Sequence, residues 1–167
     1  TEIAPLASAL GPAEQREHAG AAGRPVLNVE TAILGDDDRP VPNGAVGEIA
    51  HRSPHLMLGY LDDPEKTAEA FRGGWFHSGD LGYYDEHGLL HVVDRKKDMI
   101  KSGGENVASR EVEEVLYLHE AVQEAAVFGL PHPTWVESVT AAVVAWDGAG
   151  VSEAELIAHC REHLAGF

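Results

Sequence analysis

Alternating apolar and polar positions dominate the first part of the chain, and helical spacing follows. Between Arg24 and Leu34 the apolar residues Val26, Val29 and Ile33 alternate imperfectly with polar ones. The run DDDRPVPNG (residues 36–44) then supplies a turn, and Gly47 to Arg52 a second short strand. Pro64 to Phe71 predicts a short helix, because Asp62-Asp63 can cap it, Pro64 suits its first turn and Gly73-Gly74 stops it. Two more strands, Leu81 to Tyr84 and Leu89 to Val93, flank DEHG, a good hairpin turn. Thr1 to Gly23 has no sustained period and reads as a loop or frayed segment.

Later in the chain the spacing changes. Ser109 can cap a helix through Leu118, with Glu111 and Glu113 near the positive end of its dipole and Val112, Val115, Leu116 and His119 near one face. Val122 to Leu130 and Ser138 to Trp146 are apolar enough for buried strands, separated by a turn at Pro131 to Pro133. Ser152-x-x-Glu155 is a capping box opening a last helix to about Leu164. The expected fold is α+β: a strand-rich subdomain followed by a small C-terminal α+β domain, to which the resemblance described below adds a hinge between the two and an incomplete C-terminal end. The change of pattern puts the boundary at Lys96 to Lys97, giving residues 1–96 and 97–167.

At 167 residues and 44% hydrophobic, the chain can bury a core and is not a disordered tail. Its formal net charge of −16 argues against non-specific binding to nucleic acid or anionic membranes, which needs a basic face. Cys160 is the single cysteine, so no internal disulfide forms, and neither a leader pattern nor a transmembrane run of about 18 apolar residues occurs. A reducing, cytoplasmic setting is expected.

Against this acidic background Arg95, Lys96, Lys97 and Lys101, with Asp98, give a local charge of +3 (four cations less one acid) just before Gly103-Gly104. Positive charge beside flexible backbone suits a phosphate-bearing anion, and a solvated surface turn accounts for it equally well. Asp80 is an acceptor-only carboxylate that suits two ribose hydroxyls, and Arg95 a permanently charged fork that suits ribose or phosphate oxygens. A turn or capping role is the plain alternative for Asp80. His159 to His163 spells H-x-x-E-H, but a catalytic zinc needs a third protein ligand and only four residues follow His163. A favourable cation near a helix C-terminus explains His163 better.

Taken in order, GEI at Gly47, MLGYLDDPEKTAEAF at Met57, WFHSGDL at Trp75, DRKKDMIK at Asp94 and GLPHPTWVES at Gly129 resemble the adenylate-forming (AMP-binding) superfamily over essentially the whole chain. The form DRKKDMIKSGGENVAS looks closest to fatty-acid-type acyl-CoA synthetases. The resemblance implies a ligase that activates a carboxylic acid, here a fatty acid, as acyl-adenylate with ATP and Mg2+ and then transfers it to CoA. It makes residues 1–96 the C-terminal part of the large AMP-binding domain, and residues 97–167 a small mobile domain truncated before the family's terminal lysine motif.

Residue by residue, the resemblance implies that Asp80 and Arg95 grip the ribose of ATP and AMP, with Val92 packed near adenine or ribose. Thr1 and Glu2 match the end of the YGxTE motif and would touch the α-phosphate and Mg2+ respectively. An N-terminal part of a longer parent chain is therefore expected, and these residues alone are expected to be inactive. Lys97 matches the hinge, a role Lys96 or Asp98 could share. Lys101 would serve the thioester-forming pose, with Gly103 and Gly104 passing close to the pantetheine arm of CoA. Trp135 matches an aromatic along that tunnel, and core or lid packing is the alternative. Val136 departs from the family's usual Gly. The rivals are an adenylation domain that loads a carrier protein, and a non-catalytic binding or interaction module.

Overall fold

The computed structural model describes residues 1–165. The fold is mixed α+β and rich in strands, and it divides into two compact units, Thr1–Lys96 and Lys97–Phe167; residues 166–167, the end of the expected C-terminal domain, lie outside the described residues.

The first unit opens with β1 (Ser8–Ala9), α1 (Glu14–Glu17) and β2 (Arg24–Pro25), β1 and β2 pairing antiparallel. The stretch expected to be a frayed loop is therefore tied down. Ile3 bridges Leu56, Met57 N–H donates to Glu2 O at 2.8 Å, and Ala22 N–H donates to Leu90 O at 2.7 Å. These bonds are long-range, so no local period announces them.

An antiparallel meander follows: β3 (Glu30–Leu34), β4 (Gly47–Arg52), β5 (Phe76–Tyr84) and β6 (Leu90–Arg95), in the order β3-β4-β5-β6. Strand alternation sorts its apolar residues into two clusters. Ile33, Ile49 and Leu90 form one; Leu34, Ala50 and Trp75 form the other. Strand β4 is central and buried from Gly47 to His51. Helix α2 (Pro64–Ala70) starts as the sequence predicts, with the Asp63 carboxylate accepting from Lys66 N–H at 2.9 Å. In the DEHG turn, Asp85 Oδ1 accepts from His87 and Leu89 N–H, both at 2.9 Å.

The second unit begins with a hairpin that apolar periodicity does not reveal, β7 (Ile100–Ser102) and β8 (Glu105–Val107), followed by α3 (Ser109–Tyr117), β9 (Val122–His132), β10 (Val136–Ala145) and α4 (Glu153–His163). The sheet order is β8-β7-β10-β9. Ile100, Val107, Val112, Leu116 and Val127 form its core, and Val139, Val143, Leu156 and Cys160 pack around them. β9 and β10 are less buried than expected: Phe128, Leu130 and Val144 are exposed. Alternation gives only one face of this sheet to the core.

Helix α3 buries Ser109, Val112 and Leu116, a one-sided stripe. Its N-cap is Ala108 and makes no side-chain cap bond, so Ser109 falls one position inside the helix rather than capping it. Two of its polar residues cover the edge of β9: Glu113 accepts from Val127 N–H at 2.9 Å, and the Tyr117 hydroxyl accepts from Ala125 N–H at 3.2 Å. Helix α4 has the predicted capping box, Ser152 with Glu155.

Candidate functional site

The WFHSGDL segment is an irregular strand. Glu48 pairs with Leu81 and Ala50 with His77, so Ile49 alone faces Ser78, Gly79 and Asp80. Two more residues on β5 than on β4 make a bulge. Gly79 sits there at φ +74°, where a residue with a side chain is strained. The backbone groups that leave the ladder find side-chain partners. Ser78 hydroxyl donates to Ile49 O at 2.7 Å and accepts from Asp80 N–H at 3.0 Å, while Gly79 N–H donates to Glu48 Oε1 at 3.2 Å.

The bulge presents Asp80 opposite Arg95, its cross-strand partner on β6. Arg95 Nε lies 2.8 Å from Asp80 Oδ1, with side-chain exposures of 58% and 34%. The pair is thus preassembled and open to solvent, carboxylate oxygen and guanidinium together on one surface. Val92 stands on the same strand beside Gly82 and is exposed. Below, the imidazole of His51 is buried and bonded to the Thr31 hydroxyl at 3.0 Å; burial lowers its pKa, and the charge of Asp80 opposes that shift.

Sequence reasoning passed over Glu48. Its side chain is 6% exposed on the central strand. Oε2 receives His77 Nδ1 at 3.1 Å, Arg72 at 3.2 Å and Lys96 Nζ at 3.0 Å, and Oε1 the Gly79 amide. Burial alone would raise its pKa, but the hydrogen bonds and positive charge of Lys96 and His77 win and hold it at about 2. Arg72 also grips Asp38 at 3.1 and 3.2 Å. Lys96 is therefore a partner of Glu48, and the expected +3 patch is partly neutralised within this unit. A glutamate near the start of a strand, next to no charge in sequence, gives no local sign of this.

Glu2 accepts from the Tyr60 hydroxyl at 3.4 Å. Thr1 is exposed, and among the described residues no hydrogen bond or ion pair links Thr1 or Glu2 to Asp80 or Arg95. One carboxylate beside open solvent fits Mg2+, which takes one or two protein carboxylates and fills its shell with water and phosphate oxygens.

In the second unit, four expected residues come together. Lys101 and Ser102 pair with Asn106 and Glu105, so Gly103-Gly104 is a two-residue turn, with φ of +62° and +89°. Gly103 N–H donates to Trp135 O at 2.9 Å, and a Cβ on Gly103 would lie 3.1 Å from the Trp135 ring. Lys101 N–H donates to Glu137 at 2.7 Å and its side chain is exposed. Trp135 is held in turn by His132, whose Nδ1 accepts from the Thr134 and Trp135 amides, both at 3.2 Å. Val136 adopts φ +70°, a left-handed conformation that strains a β-branched side chain. The departure from Gly is thus kept at a conformational cost. Lys97, the first residue of this unit, lies exposed in a turn. Among the described residues no group of three or more His, Cys, Asp or Glu could hold a metal, so His159 and His163 have no third ligand.

Two family profiles match, "AMP-binding enzyme" over residues 1–61 and "AMP-binding enzyme C-terminal domain" over residues 111–167. All 167 residues align with a feruloyl-CoA synthase of Amycolatopsis sp at 46% identity, covering 34% of that protein. They align with a long-chain-fatty-acid–CoA ligase of Salmonella typhimurium at 43%, covering 29% of it. Among solved structures, o-succinylbenzoate CoA synthetase from Bacillus subtilis, in complex with the acyl-adenylate intermediate OSB-AMP, superposes with a TM-score of 0.91 at 37% identity, over 99% of this chain and 34% of that one. The chain thus spans about a third of the length of the relatives it matches.

Proposed function

The chain belongs to the AMP-binding, adenylate-forming family, and from that premise we propose that it serves an ATP-dependent acyl-CoA ligase. The observation that carries this reading is the bulge-mounted Asp80, paired with Arg95 and open to solvent. A ribose placed there gives two hydroxyls to the Asp80 carboxylate, and the remaining guanidinium N–H groups of Arg95 reach ribose or phosphate oxygens. Val92 supplies an apolar neighbour for the base. Thr1 is suited to the α-phosphate, and Glu2 would hold Mg2+, which neutralises phosphate charge when bound.

The reaction has two halves. A carboxylate attacks the α-phosphorus of ATP, forming the acyl-adenylate and releasing pyrophosphate; the CoA thiol, losing its proton, then attacks the acyl carbonyl and AMP leaves. The cluster of Lys101, Gly103, Gly104 and Trp135 is assigned to the second half, with the backbone of the Gly-Gly turn alongside pantetheine. Lys97 is assigned the pivot between halves, because a conformational change concentrates in a few exposed turn residues.

For the acid we propose a fatty acid, supported by the DRKKDMIKSGGENVAS form and the 43% identity to a long-chain-fatty-acid ligase. The 46% identity to a feruloyl-CoA synthase makes an aromatic acid the direct competitor. The test is thioester formation by the whole protein with MgATP and CoA over a panel of fatty and aromatic acids. Asp80→Asn should lower kcat/KM for ATP about 10- to 100-fold, since a hydrogen bond to a charged group is worth about 1.5–3 kcal/mol. No thioester with any acid, or an Asp80→Asn variant as active as wild type, would sink the reading.

A further inference from the structure

We propose that Glu48 is the positioning residue for the nucleotide pair, setting Asp80 through the Gly79 amide and the strand that carries Arg95 through Lys96. This rests on the nucleotide reading above. Three observations carry it. First, the carboxylate is saturated: one oxygen takes His77, Arg72 and Lys96, the other takes Gly79 N–H. A carboxylate offers about four lone-pair sites and four donors already converge on this 6%-exposed group, so it is engaged by the protein rather than by substrate. Its action is on its neighbours.

Second, those neighbours are the two anchors of the site. Gly79 immediately precedes Asp80, and its amide is the donor the bulge removes from the ladder. Lys96 immediately follows Arg95, and it is held twice, by its ammonium on Glu48 and by its backbone N–H on Gly79 O at 2.8 Å. Gly79 and Lys96 therefore close a ring with Glu48, and Asp80 and Arg95 project from its two sides. Third, Arg72 and His77 brace Glu48 from behind: Arg72 is anchored on Asp38 and His77 pairs with Ala50 in the ladder. The carboxylate sits on β4, a buried interior strand bonded on both sides, and a site is held more closely by such an element than by a loop.

The test uses the whole protein and AMP as the probe, with binding followed by calorimetry and folding by thermal unfolding. Wild type should bind AMP. Glu48→Gln should weaken AMP about tenfold, and adding Glu48→Gln to Asp80→Asn should cost clearly less than a further tenfold, because the part of its effect that passes through Asp80 is already lost and only the part through Lys96 and Arg95 remains. Lys96→Met covers the case in which Glu48→Gln fails to fold. Its side chain is 47% exposed, so the variant should still unfold in one cooperative transition, at a lowered melting temperature because Glu48 loses a partner, while AMP weakens about threefold, and Lys96→Arg should restore binding. Fully additive losses in the Glu48/Asp80 cycle, or AMP affinity unchanged in both Glu48→Gln and Lys96→Met, would overturn the inference alone. No AMP binding by wild type would overturn the nucleotide reading and the inference with it.

Discussion

Acid should unlock the first unit at Glu48, and the size of the effect follows from its surroundings. In the unfolded chain this carboxyl titrates near its ordinary value of 4.5; in the fold Lys96 and His77 hold it at about 2. A depressed pKa means that the folded state binds the proton less readily, so the stabilisation is complete above pH 4.5 and is lost as pH falls toward 2. The span corresponds to about 3 kcal/mol, at roughly 1.4 kcal/mol per pKa unit, of which about 2 kcal/mol is gone by pH 3. The carboxylate is only 6% exposed, but its partner Lys96 is 47% exposed, so solvent screens part of this attraction and about 3 kcal/mol is the upper figure. Urea titrations between pH 6 and pH 3 measure it, followed by Trp75 fluorescence in a Trp135→Phe, Trp146→Phe background. Trp75 is buried in the first unit, beside the strand that carries Glu48. Asp85 is also held at about 2 by Leu89 and His91, and contributes to the same fall in both proteins. The quantity that isolates Glu48 is the difference between wild type and Glu48→Gln, which should shrink by about 2 kcal/mol from pH 6 to pH 3. Parallel pH profiles, within about 0.5 kcal/mol, would refute the reasoning.

Two predictions concern the second unit. Val136→Gly relieves a left-handed β-branched residue at φ +70° and should stabilise this unit by about 1 kcal/mol after glycine's entropic cost, seen as a higher urea midpoint from Trp146; a lower midpoint contradicts the strain. Ser152→Ala removes the hydroxyl that accepts from Glu155 N–H at 3.3 Å and should cost about 1 kcal/mol, with faster hydrogen exchange at Glu155; unchanged exchange would show the cap to be idle.

Local chemistry was legible in the sequence and long-range partnership was not. Asp63 before Pro64, the Ser152–Glu155 box and the DEHG turn each work within a few residues, and each forms as its residue types dictate. Asp80 and Arg95 stand out as an acceptor and a donor fifteen positions apart, and a hairpin register makes them neighbours. The β7–β8 hairpin escaped because each strand is only three residues long, too short to show a period, and its Gly-Gly turn drew a functional reading instead. The pairing of Ile3 with Leu56 escaped for the opposite reason, distance along the chain.

Glu48 is the instructive case, because local patterning argues against it. An apolar residue there would continue the buried run of β4 and pack without desolvating a charge. It would also leave the Gly79 amide without a partner at the bulge and would remove the one acceptor that Arg72, His77 and Lys96 share. The cost of burying one carboxylate is therefore tied to the bulge itself. A regular β4–β5 pairing would leave no free Gly79 amide for Glu48 to satisfy, and would change the backbone immediately before Asp80, the residue that β6 sets beside Arg95. The strand irregularity and the buried charge are one structural decision, which is why the residue that breaks the hydrophobic pattern bonds the immediate neighbours of the exposed Asp80–Arg95 pair, Gly79 and Lys96.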